Sequence, residues 1–214
     1  MKKIEELEKD LQGKELEGIY LLYGEEEYLL EQNVKKIKNK FGECIKGINY
    51  ILIDENNSKG LISDIETPSF GYEKKLIIAK NSGLFKKEGR KKSEELKNFK
   101  KTVSKYLVEN IDLINKNVVL VFIEEDPEKL ELFKTIDKIG VVCNFEYQKA
   151  NQIITRLKKI CNAYKVNVDN YTLQYFIECA RNKYARANKW NKKINWICWR
   201  KWNNKKRRYR FIDN

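Results

Sequence analysis

Apolar residues along this chain recur in two rhythms. Short, largely apolar runs at Ile19–Tyr23, Ile48–Ile53, Lys75–Lys80, Val118–Ile123 and Val141–Phe145 have the length of strands buried on both faces. Between them, apolar residues return every three or four positions: Leu30, Val34, Ile37 and Phe41, then Leu96, Phe99, Val103 and Leu107. That spacing predicts amphipathic helices packed on the strands. A short helix carrying Ile4, Leu7 and Leu11 precedes the first strand, another closes near Glu66, and Pro127 is placed to start a helix over Glu128–Ile139. Strands alternating with helices predict an α/β domain: a parallel, doubly wound sheet with helices on both faces and Val118–Ile123 at its centre.

Beyond Glu146 the strand pattern stops. Ile153, Ile154, Leu157, Ile160, Cys161 and Tyr164 line one helical face, and Leu173, Phe176, Ile177 and Ala180 another. The expected organisation is an α/β domain over 1–146, the start of a helical domain over 147–180, and a tail over 181–214. The helical pattern ends before such a domain could close around a core.

The first turn decides what chemistry the sheet supports. After the run ending at Tyr23 comes Gly24, where a phosphate-binding loop would bring a second glycine, a lysine and a hydroxyl. The chain supplies Glu25, Glu26 and Glu27 instead. These carboxylates suit the helix dipole and repel a triphosphate, so the turn reads as a nucleotide site without its grip, and no cofactor is expected. Glu124, Glu125 and Asp126 follow the central strand, where a hydrolase would hold magnesium. With no lysine and hydroxyl in the first turn to complete the set, they read as helix-starting acids. The other loop of interest is Thr67–Tyr72: Pro68 and Gly71 bracket a turn and hold Phe70 at its tip. By residue type alone that ring belongs in the core.

Composition narrows the choice further. The chain has no histidine, which removes the commonest general base and metal ligand, together with every Ser-His-Asp or Cys-His arrangement. Five cysteines without a Cys-x-x-Cys pair argue against a zinc knuckle or a disulfide framework. No run is long and apolar enough to span a membrane and the amino terminus has no signal core, so a cytoplasmic location is expected. The net charge of +13 looks like a nucleic-acid footprint, but twelve of those charges lie on residues 181–214. The body is nearly neutral.

Taken together, Tyr20-Leu21-Leu22-Tyr23-Gly24-Glu25-Glu26-Glu27-Tyr28-Leu29-Leu30, the Thr67-Pro68-Ser69-Phe70 turn before Lys74-Lys75-Leu76-Ile77-Ile78, and Val119-Leu120-Val121-Phe122-Ile123-Glu124 resemble the delta subunit of bacterial DNA polymerase III over residues 1 to about 180. The resemblance implies a clamp-loader subunit of that polymerase holoenzyme with an AAA+-like domain, a helical lid and a carboxyl-terminal collar, the collar being absent here. It also implies no ATP hydrolysis, and as partners the sliding clamp, the other clamp-loader subunits and DNA. In the family a hydrophobic pair on the loop before the third strand enters a pocket on the clamp. Phe70 stands where the first member belongs, flanked by Pro68 and Ser69. Gly71 replaces the second, with Tyr72 next in line to compensate.

The last 34 residues depart from that family. They hold all four tryptophans, many Asn, Lys and Arg, and neither Gly nor Pro. Back-translated from Lys183 in AT-rich codons and shifted by one base, they become a string with helical periodicity and glycines, because TGG followed by A yields a glycine codon. The expectation is a truncated product whose tail is read out of frame and disordered. The competing reading is a nucleic-acid-binding protein, with the tryptophans stacking on bases and Lys205, Lys206, Arg207 and Arg208 neutralising phosphates.

Overall fold

A computed structural model of the chain describes residues 1–86, 94–163, 167–174 and 177. The chain divides after Glu146 into two compact units. In the first, a parallel five-stranded sheet is built from β1 (Ile19–Tyr23), β2 (Tyr50–Ile53), β3 (Lys75–Lys80), β4 (Val118–Glu124) and β5 (Val141–Asn144). Their spatial order is β2-β3-β4-β1-β5. All four pairings are parallel, with Leu21 opposite Phe122 and Ile77 opposite Leu120 in the central ladders. Every residue of β4 is buried, as its uninterrupted apolar run requires of a central strand.

Alternation along the strands feeds two cores. Leu21, Tyr23, Ile77, Ala79, Leu120 and Phe122 face the helices α3 (Leu61–Glu66), α4 (Glu94–Glu109), α5 (Ile111–Asn117) and α6 (Glu131–Ile139). Tyr20, Leu22, Ile78, Val119 and Val121 face α1 (Ile4–Gly13) and α2 (Glu27–Phe41). Burying an aliphatic side chain in such a layer stabilises the fold by about 1.5–3 kcal/mol. The outer edge of β5 is covered by the amino terminus, where Lys2 donates its N–H to Val142 and the Met1 ammonium pairs with Asp137. This protects an edge strand from pairing with another chain.

Three local expectations are corrected. The helix after β4 starts at Glu131, not Glu128, because the Glu128 N–H is committed to the carbonyl of Phe85 and residue 130 is extended. Pro127 therefore does not open it. Glu124 is not a helix-starting acid but the buried last residue of β4. The second strand starts at Tyr50 because Asn49 turns its amide inward, onto Glu43 and Ile45, and holds the preceding loop. Helix α5, a short segment between α4 and the central strand, was not foreseen.

In the second unit, α7 (Ala150–Ala163) buries Leu157 and Cys161 against Leu173 and Ile177. The other residues placed on those two helical faces, Tyr164, Phe176 and Ala180, lie outside the described residues, as does the whole tail with Lys205, Lys206, Arg207 and Arg208. No helix among the described residues is long and apolar enough to cross a membrane.

Candidate functional site

At the amino end of the sheet, the chain leaves α3 and enters β3 through residues 67–74. Pro68 forbids Thr67 a helical backbone, so α3 ends with Thr67 at ψ 124°. Thr67 still closes the last turn, with both its N–H and its hydroxyl donating to the carbonyl of Ser63, at 2.9 and 2.7 Å. Beyond it the loop braces itself. The Ser69 hydroxyl donates to the carbonyl of Tyr72 at 2.7 Å, and Gly71 takes a φ of +78°, a conformation glycine adopts without penalty. Tyr72 is half-buried and its hydroxyl reaches the Glu43 carboxylate at 3.3 Å. Partial burial and that carboxylate push its phenol above the ordinary range.

Phe70 projects from this frame and is 79% exposed. Its residue type had placed the ring in the core. The Pro68–Gly71 turn instead carries it outward, and the neighbouring Ser69 and Tyr72 tie their polar atoms to the loop or to Glu43. Behind the loop lies a cavity of about 230 Å³, lined by Ile65, Thr67, Ser69, Lys75 and Leu113 among others. Lys75 opens β3 yet is only 2% exposed. Its ammonium donates to the carbonyl of Asp64 at 2.8 Å and to that of Thr67. Burial lowers its pKa, opposed by nearby Asp64.

At the carboxyl end, the turn after β1 is closed by the chain itself. Gly24 has a φ of +127° and donates its N–H to the carbonyl of Glu124 at 3.3 Å. The N–H of Glu26 goes to Phe145 at 2.9 Å and that of Glu27 to Glu25 at 3.0 Å. A side chain at Gly24 would put its Cβ 2.4 Å from the Phe145 carbonyl oxygen. Three donors that a phosphate loop would aim outward are thus spent on the chain's own carbonyls. Beside this turn, Glu124 accepts hydrogen bonds from the N–H and hydroxyl of Ser82 at 3.0 and 2.9 Å. Burial raises the Glu124 pKa, and the two Ser82 bonds oppose the rise. Among the described residues no cluster of acids, cysteines or histidines could hold a metal ion.

The structure therefore brings Pro68, Ser69, Phe70 and Tyr72 together on one loop, and Gly24, Glu25, Glu26 and Glu27 on another at the opposite end of the sheet. Lys75 and Ser82 were not singled out from the sequence. Lys75 carried a usable signal, since a charge inside a run buried on both faces needs a partner. Ser82 carried none.

A five-stranded parallel sheet in the order β2-β3-β4-β1-β5, with helices on both faces, defines an AAA+-like α/β domain. A family profile described as DNA polymerase III, delta subunit, matches residues 20–148. The chain is 30% identical over 174 residues to the probable DNA polymerase III subunit delta of Aquifex aeolicus, covering 76% of this chain and 45% of that protein. It is 31% identical over 102 residues to the DNA polymerase III subunit delta of Bacillus subtilis, covering 46% and 29%. The match thus spans less than half the length of either relative. Among solved structures, the Bacillus subtilis DNA clamp loader delta protein superposes with a TM-score of 0.66 at 18% identity, over 92% of this chain and 57% of that one. The chain belongs to the DNA polymerase III delta subunit family.

Proposed function

We propose that this delta-family chain binds a sliding clamp through Phe70 and, with other clamp-loader subunits, opens the ring for loading at primed DNA without hydrolysing ATP. The observation that carries the reading is the exposure of Phe70 at the tip of a loop braced on both sides. A rigid aromatic costs little entropy to dock and is a frequent interface hot spot. Tyr72, tied to Glu43, serves as the strut beside the tip, so Phe70 alone is the anchor and Pro68 and Ser69 shape its approach.

The closed turn at Gly24–Glu27 supports the absence of ATP hydrolysis, since three of its N–H groups are spent on the chain's own carbonyls and it offers three carboxylates and no cation to a triphosphate. The work is then mechanical: docking energy distorts the partner ring. Residues 147–180 start a helical lid in this reading.

Titration calorimetry of the chain with its cognate sliding clamp tests the reading. Phe70→Ala is expected to weaken binding by about 30-fold to 1,000-fold, the range of a buried aromatic anchor, with the thermal midpoint unchanged. Equal affinity of the variant and the parent would refute it.

A further inference from the structure

We propose that Lys75 is a positioning residue for the Phe70 loop, its ammonium replacing a backbone donor that Pro68 cannot supply. In a continuing helix the carbonyl of residue 64 accepts the N–H of residue 68. Proline has none, and the residue before it is driven out of the helical region, so the last turn of α3 is left with an orphaned acceptor. Lys75 reaches back from the first position of β3 and donates to that oxygen at 2.8 Å. The same ammonium also takes the carbonyl of Thr67, the last residue before the turn.

Placing a charge there is costly. Lys75 is 2% exposed, and among the described residues no carboxylate lies within ion-pair distance of it. An apolar residue would suit this strand position better unless the two carbonyls matter. Both are at the point where the loop leaves α3, and the carboxyl-terminal end of a helix favours a cation. The farther side of the loop is held by Ser69 and Tyr72, on bonds that do not reach the sheet. Lys75 is thus the joint between the base of the loop and β3. Without it, the base of the loop has an unsatisfied turn to relieve, and the Phe70 ring loses its fixed direction. This inference rests on reading Phe70 as the docking tip.

The test uses the full chain and its cognate clamp, with Lys75→Met, Lys75→Arg, Phe70→Ala and the Lys75→Met/Phe70→Ala double variant. Two quantities are read: amide hydrogen exchange at residues 69–72, and clamp affinity. Lys75→Met is expected to speed exchange in the loop about tenfold while β1 and β4 stay protected, and to weaken clamp binding about tenfold. Lys75→Arg retains both, because a guanidinium also donates to two carbonyls. In the Phe70→Ala background Lys75→Met adds no further loss of affinity, the non-additivity of residues acting through one contact. Unchanged loop exchange in Lys75→Met overturns the proposal, as does an equal loss of affinity in both backgrounds. If Phe70→Ala binds like the parent, the docking reading fails by itself, and the exchange data alone decide whether Lys75 orders the loop. If Lys75→Met does not fold, it is combined with Pro68→Ala, which returns a backbone N–H to the Asp64 carbonyl. Folding of that double variant supports the proposal and its failure to fold overturns it.

Discussion

The two ends of one parallel sheet present opposite surfaces. At the carboxyl end the strand-to-helix turn that could cradle phosphates is folded onto its own backbone, through Gly24 to Glu124 and Glu26 to Phe145. At the amino end the loop between α3 and β3 turns its polar atoms inward and leaves Phe70 facing solvent. Both loops are closed by their own hydrogen bonds, but what each leaves facing outward differs. One turns its donors onto its own carbonyls; the other satisfies its polar groups internally and leaves an apolar ring over, which is the arrangement the docking proposal uses.

Substitution at the tight end should therefore damage stability, and substitution at the open end only binding. The largest effect is expected from Gly24→Ala. The new methyl group would need a φ that L residues avoid and would collide with the Phe145 carbonyl. Backbone strain and overpacking together cost about 2–5 kcal/mol, read as a fall in denaturation midpoint. Phe70→Ala, by contrast, should leave that midpoint alone, because the ring it removes buries little. Were Gly24→Ala equally silent, the closed turn would not be the tight joint described here.

A smaller effect should follow pH. Because burial holds the Glu124 pKa above its ordinary 4.5, the folded protein favours the protonated acid. Its stabilising contribution is complete below pH 4.5 and is lost as pH rises through the folded value. Glu124→Gln keeps an acceptor for Ser82 and removes the titration. The stability difference, parent minus variant, should decline as pH rises above 4.5 and then level off. A flat difference between pH 4 and 8 would mean that Glu124 is solvated.

Much of this architecture was legible in the residues. Uninterrupted runs such as Val118–Ile123 and the three-and-four spacing of Leu96, Phe99, Val103 and Leu107 specify buried strands and covering helices with little ambiguity. The missing lysine and hydroxyl after Gly24 were equally plain. What escaped depended on partners distant in sequence. The Phe85 carbonyl that delays α6 lies 43 residues from Glu128, and Ser82 lies 42 residues from Glu124. Neither pairing leaves a local periodicity. The outward turn of Phe70 was hidden for another reason: ring size argues for burial, whereas the Pro68 and Gly71 backbone decides direction.

The central claim, that this chain docks through its amino-end loop and not through the Gly24–Glu27 turn, is tested most directly by amide hydrogen exchange with and without the cognate sliding clamp. Protection should concentrate on residues 69–73 and leave 24–27 unchanged. Protection of 24–27 with none at 69–73 would contradict the account.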